Sequence, residues 1–302
     1  MHEFSSAYRA YANGEEIGHM GTPGKSRKEA KPAFGSNTLY LPNASDTLDV
    51  VFHVSNYRRD KAGFWGDVKL GAARKVQETK LKTTLFEMFL FASILIIGLY
   101  HLLMFINRQR DYSALFFGLF SMLIALRLAV TGEYIIYHML PLNWGTTLRL
   151  EYISFYGAMP LFAGYIYSLY PREFRRPLMW IISGVGMLAV GIVLVSPYLF
   201  FISTVEAFQV FTLLVSAYIF YLMIRGIIQK HRTSYVLLAG FLIFFGTVFN
   251  DILFVNGIIE TGSYSPWGLF VFIFSQAYLI SWRYSRSFKE TEKLSQELNE
   301  IN

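Results

Sequence analysis

The connections between the apolar runs of this chain alternate in charge, and that alternation constrains the fold more tightly than any other feature. With about 20 apolar residues taken as one bilayer crossing, the runs fall at roughly 84–106, 112–131, 147–170, 178–197, 204–228, 234–256 and 266–285. The connection after the first run carries Arg108 and Arg110, that after the third Arg172, Arg175 and Arg176, and that after the fifth Arg225, Lys230 and Arg232. The intervening connections, at 131–147, 196–204 and 255–266, contain no Lys or Arg. Cytoplasmic loops carry the excess of these residues, so the basic set faces the cytoplasm. An odd number of crossings then puts the N-terminus outside and the C-terminus inside. Arg74, Lys75, Lys80 and Lys82 precede the first run on the outer side; segments attached to translocated domains obey the charge rule poorly, and three loops outweigh one stretch. The expected location is a bacterial inner membrane or a plasma membrane, with the lipid bilayer as obligatory partner.

Composition agrees. The chain is 54% hydrophobic and 16% charged, against about 25% charged for a soluble domain. A net charge of +6 sits at loop positions facing an anionic inner leaflet, which accounts for it without nucleic acid. With no cysteine, disulfides, thiolate nucleophiles and Cys-based zinc sites are excluded. The first 20 residues contain no continuous apolar segment of the signal-peptide kind.

The fold class expected is mainly α: a polytopic bundle of seven transmembrane helices with a different kind of chain at each end. Residues 1–75 form a partial extracellular β-sandwich, 76–286 the seven-helix domain, and 287–302 the start of a cytoplasmic signalling helix. In the first segment, residues 47–55 alternate so that Leu48, Val50, Phe52 and Val54 share one face, the pattern of a half-buried strand. Residues 6–12 lead into the turn pair Asn13 and Gly14, residues 66–70 are a further strand candidate, and 21–31 reads as a loop. About four strands enclose too small a core to close comfortably alone, which places the upstream half of the sandwich outside this chain. At the other end, Leu294, Leu298 and Ile301 are spaced 4 and 3, as in the opening of a coiled coil or in a frayed terminal helix.

Several runs carry a family resemblance. Tyr11-Ala12-Asn13-Gly14-Glu15-Glu16-Ile17-Gly18, then Gly21-Thr22-Pro23-Gly24, Val54-Ser55-Asn56-Tyr57 and Lys69-Leu70-Gly71 resemble the second type of extracellular domain of the bacterial 7TM receptors with diverse intracellular signalling modules. Ala125-Leu126-Arg127-Leu128, Thr131-Gly132-Glu133-Tyr134 and Asn250-Asp251 resemble that family's membrane region. The resemblance implies a jelly roll similar to carbohydrate-binding modules, a receptor that passes an outer stimulus through seven helices to a module after the last one, and a homodimer formed through that helix. The output module, a kinase, cyclase or phosphatase, is expected outside these 302 residues.

Ionisable groups inside spans cost a few kcal/mol each unless paired or wetted. At about 1.5 Å per residue from the outer helix ends, Arg127 and Glu151 lie about 6 Å down, Asp251 about 8 Å and Glu206 about 3 Å; Glu87 and Arg149 belong to the same layer. The expected site is therefore a ligand-binding or coupling cluster of Arg127, Arg149, Glu151, Glu206, Asn250 and Asp251, in which Arg127 pairs with Asp251 or Glu151 and floors an outward pocket. The alternative is that the same pairs hold the bundle together, and Glu87 snorkels to the interface. Trp65 beside Phe64 offers a ring for a sugar or a cover for the core.

No catalytic or cofactor chemistry is expected. His2, His19, His53, His101, His138 and His231 have no metal-ligand spacing, no lysine lies in 267–281 for a retinal Schiff base, and phosphate loops, nucleophile elbows and HExxH are absent. Against a receptor stands a small-solute transporter or channel, whose marks are repeats, broken helices and midplane charges; Pro160 with Gly157 and Gly164 is the one candidate break.

Overall fold

The computed structural model describes residues 6–42, 47–58, 68, 70–107, 109, 111–229, 232–255, 258–261 and 264–301. The strand candidate at 66–70, the Phe64 and Trp65 pair, and the loop bases Arg108, Arg110 and Lys230 lie wholly or mostly outside them. Among the described residues the order is three strands, β1 (Ala7–Ala12), β2 (Glu15–Met20) and β3 (Val50–Ser55), then nine helices. These are α1 (Ala73–Asn107), α2 (Tyr112–Val130), α3 (Ile136–Met139), α4 (Trp144–Leu169), α5 (Arg176–Val195), α6 (Tyr198–Ser203), α7 (Val205–Ile228), α8 (Arg232–Val255) and α9 (Ser265–Ile301).

The chain divides into two compact units. The first comprises 1–93, 123–159 and 184–210. Its sheet is antiparallel in the order β2-β1-β3. Asn13 and Gly14 take φ 48° and 87°, the positive values that a two-residue hairpin requires and that Asn and Gly tolerate best. Asn13 also exchanges backbone and side-chain hydrogen bonds with Asp49, accepting the Asp49 N–H on Oδ1 at 3.0 Å. Tyr8, Ala10 and Met20 form the sheet's core, with Ile17, Ala33, Leu39 and Phe52 packed against them. The face expected to be half-buried on β3 is mostly open: Phe52 packs, whereas Val50 and Val54 are exposed. A three-stranded sheet has too little surface to cover both, consistent with the small core that the sequence implies.

The second unit comprises 94–122, 160–183 and 211–302. Fully buried Phe117, Tyr165, Ile182, Ile219 and Ile273 mark its interior. Three buried hydroxyls here are paired: Tyr165 donates to Gln276 Oε1 at 3.2 Å, and the Tyr170 and Ser234 hydroxyls share a bond of 2.7 Å. Helix α9 continues without interruption from the apolar segment at Trp267 to Ile301.

Among the described residues, five helices are long and apolar enough to cross a membrane: Ala73–Asn107, Tyr112–Val130, Arg176–Val195, Tyr198–Ile228 and Ser234–Asp251. Only 22% of the apolar window of α1 and 17% of that of α5 is buried within the protein. In water such surfaces would drive aggregation; in hydrocarbon they cost nothing. The other two expected spans are helical, as α4 and α9, but fall outside that set. Arg149, Glu151 and several tyrosines dilute the hydropathy of α4, and Arg283 closes the apolar run of α9. Helix α4 runs through Pro160 without ending. Three features depart from the expected pattern: α1 begins at Ala73, a full three turns before its apolar run, and short helices occupy two connections, α3 between α2 and α4 and α6 between α5 and α7.

Candidate functional site

The connection from α2 to α4 is held in place by contacts from its own residues, from α1 and from α4. The Thr131 hydroxyl donates to the Arg127 carbonyl at 2.7 Å, so the last turn of α2 is closed by its own side chain. Gly132 follows at φ 65° and Tyr134 at φ 53°; the latter is a left-handed conformation that costs an aromatic residue roughly 1–2 kcal/mol. The Glu87 carboxylate of α1 accepts the Glu133 N–H at 2.8 Å. A Cβ on Gly132 would stand 2.6 Å from Glu87 Oε1, so only glycine lets that carboxylate reach the backbone. Ala129, Val130 and Ile136 bury against Phe91, Leu126, Tyr137, Leu142 and Leu150, which fixes α3 in place. Glu87, expected to snorkel, is thus engaged with this turn. Burial pushes the Tyr137 phenol up from its ordinary pKa, partly offset by a hydrogen bond with Thr147.

The residues of the expected polar layer fall in both units, Arg127, Arg149, Glu151 and Glu206 in the first and Asn250 and Asp251 in the second. Arg127 donates from Nη1 to the Glu151 carbonyl at 3.2 Å and lies over the Phe155 ring at 5.2 Å. Backbone and π-face are thus among its contacts with the helix that carries Glu151. Arg149 donates to the Val193 carbonyl, to the Leu194 carbonyl at 3.1 Å and to the Ser196 carbonyl at 3.1 Å. Its guanidinium also faces Tyr198 at 5.3 Å and Phe201 at 5.6 Å. These are the orphan carbonyls at the C-terminus of α5, where a cation complements the helix dipole, and the five-donor fork of arginine satisfies three at once. Glu206 sits exposed in the first turn of α7, the end of a helix that favours an acid.

In the second unit, Asp251 accepts the backbone N–H groups of Tyr264 at 2.6 Å and Ser265 at 2.9 Å. It caps the N-terminus of α9, where a carboxylate is doubly favoured. Asn250 steadies it, donating to Asp251 Oδ1 at 3.2 Å and accepting from Thr261 at 2.9 Å. Among the described residues no group of His, Asp and Glu side chains is placed to hold a metal ion.

Sequence reasoning missed the aromatic chain that joins the N-terminal segment to this region of the first unit. Phe34, 6% exposed, stacks on Tyr134 at 5.1 Å and on Trp144 at 5.6 Å. Trp144 in turn meets Tyr198 edge-on at 5.2 Å. A large apolar side chain inside the Pro- and Gly-containing run at 32–35 was the available signal, since loops rarely bury such groups without a partner outside the loop.

A family model described as 7TM diverse intracellular signalling matches residues 83–283. No curated protein and no solved structure matches the chain.

Proposed function

The chain belongs to the 7TM diverse intracellular signalling family, and from that membership we propose that it is a transmembrane receptor. In this reading seven helices cross the bilayer, the two helices α4 and α9 completing the five that are long and apolar enough on their own. The N-terminal sheet, part of a jelly roll, lies outside the cell and senses a small ligand, with a carbohydrate as the favoured class. The stimulus shifts a two-state helix bundle, and α9 delivers that shift to a cytoplasmic output module, paired with its counterpart in a homodimer. No catalytic step is assigned to these 302 residues.

The observation that carries the reading, beyond family membership, is the continuity of α9. Its 37 residues at about 1.5 Å each make a rod of roughly 55 Å. The rod starts at the Asp251 cap, continues through the apolar segment and ends in polar sequence. A displacement or rotation at its capped end is therefore transmitted along it rather than absorbed by a hinge. The outer polar residues Arg127, Arg149, Glu151, Glu206, Asn250 and Asp251 serve in this reading as coupling groups that hold helices to one another, a role supported by the hydrogen bonds that Arg127, Arg149 and Asp251 each make to the backbone of another element.

The test uses the full chain in nanodiscs with a nitroxide attached at Gln296→Cys, made clean by the absence of native cysteine. Mono- and oligosaccharides are added, and the inter-subunit distance distribution is recorded. A saccharide-specific change supports the receptor. Sugar-dependent flux of that solute into sealed vesicles, with the distribution unchanged, overturns it in favour of a transporter.

A further inference from the structure

The segment 33–40 is fastened along its length to the sheet and to α1. The Ala33 N–H donates to the Ser6 carbonyl at 3.1 Å, Asn37 Nδ2 donates to the His19 carbonyl at 3.1 Å, and Ala33 and Leu39 pack on the Tyr8, Ala10 and Met20 core. Lys80 Nζ donates to the Ser36 carbonyl at 2.6 Å, and Gln77 Nε2 to the Tyr40 hydroxyl. One large side chain of this strap leaves the sheet's core. Phe34 turns away and stacks on Tyr134 and Trp144.

Those two rings occupy sensitive positions. Tyr134 holds the left-handed backbone of the α2–α4 connection, so a small push on its ring bears on a conformation already strained. Trp144 is the first residue of α4. Beyond it, Tyr198 touches Trp144 on one side and the Arg149 guanidinium on the other, and Arg149 holds the end of α5. A Cβ at Gly145 would collide with the Tyr198 phenol, so this ring is seated directly on the α4 backbone. Close-packed elements of this kind switch between discrete arrangements rather than deforming smoothly.

We propose that Phe34 is the positioning residue through which the N-terminal sheet drives the α2–α4 connection and the start of α4, by way of the Tyr134 and Trp144 rings. The proposal rests on the receptor reading for its biological sense, but the coupling itself is a property of the chain without any ligand. Motion of the sheet moves the strap, the strap moves the Phe34 ring, and the ring either keeps or releases the strained turn. Apolar ring stacking suits the task because it is stiff in distance yet permits sliding in the ring plane.

A double-mutant cycle tests this in the full chain in nanodiscs, with hydrogen exchange across 131–143 as readout. Phe52→Ala loosens the sheet from β3, on the far side of the Tyr8 ring, which it meets at 5.9 Å. With Phe34 present, the account expects Phe52→Ala to raise exchange across 131–143 by about fivefold or more, the lower end of ordinary site-to-site coupling. In the Phe34→Ala background the same change is expected to add less than about twofold. Phe34→Leu keeps much of the volume without the ring and is expected to reduce the transfer too; should the alanine variant fail to fold, it decides the question. Phe34→Tyr restores the transfer. A merely structural Phe34 would give additive effects, and additivity, or no effect of Phe52→Ala on 131–143 in the parent chain, overturns the proposal. Coupling found here together with sugar-dependent flux into sealed vesicles would leave Phe34 in its role and overturn the receptor reading alone.

Discussion

Replacing Gly132 by alanine tests the physics of the α2–α4 connection with two separable costs. The first is backbone: at φ 65° an L-residue pays roughly 1–2 kcal/mol. The second comes from the Glu87 carboxylate, whose oxygens would lie 2.6 and 2.8 Å from the new Cβ. That side chain is long enough to swing away, so the overlap itself is cheap, but swinging away forfeits the 2.8 Å hydrogen bond from the Glu133 N–H. A bond to a charged acceptor contributes about 1.5–3 kcal/mol. The sum, about 2.5–5 kcal/mol, is a large part of the stability of an ordinary domain. At 1.4 kcal/mol per factor of ten, it lowers hydrogen-exchange protection of 131–139 by roughly two to three and a half orders of magnitude. Exchange in β1 and β2 serves as the internal control. Gly132→Ala in a Glu87→Ala background loses only the backbone term, because no carboxylate remains to displace, so the two changes are less than additive. A loss of protection under tenfold, or full additivity of the pair, would refute the claim that glycine is required here to admit Glu87.

Three further outcomes follow from the contacts described. Asp251→Ala removes the cap of α9 and is expected to destabilise its first turn by about 1–2 kcal/mol, with Asp251→Asn intermediate; exchange at 264–270 measures both. Arg149→Lys keeps the charge but not the fork, and is expected to free the last turn of α5 nearly as much as Arg149→Met, seen as faster exchange at 192–196. Burial raises the Tyr8 phenol above its ordinary pKa of 10.0, with the Asn37 side chain opposing. The stability this contributes to the sheet is whole below about pH 10 and is lost as pH rises through the higher folded value. Alkaline loss of β-structure is therefore expected, and Tyr8→Phe shifts it to higher pH.

The helices were legible because a bilayer imposes one length and one polarity on each crossing: every expected span overlaps a helix. The hairpin was legible because Asn13-Gly14 is a dipeptide that meets its dihedral demands. Charged residues were legible as special, but their partners were not. Depth along a helix places Arg127, Arg149 and Asp251 near one level without revealing azimuth. Each makes hydrogen bonds to backbone groups, and backbone groups leave no trace in side-chain identity. Arg149 on the α5 carbonyls and Asp251 on the α9 amides both escaped for that reason. Phe34 escaped differently, since its partners lie about 100 and 110 residues away in sequence and no local period connects them. The short helix α3 went unnoticed because four residues hold barely one period, too few to repeat.

The claim on which the receptor account depends is that the N-terminal sheet and the end of α9 stand on opposite sides of the membrane. Because the chain has no cysteine, Lys28→Cys and Gln296→Cys each provide a single reactive thiol, and both positions are exposed. Intact cells, opened to the periplasm, are treated with a membrane-impermeant maleimide before and after the bilayer is breached. The account predicts immediate labelling of the Lys28→Cys protein and labelling of the Gln296→Cys protein only after breaching. Equal labelling of both before breaching, or of neither, would contradict it.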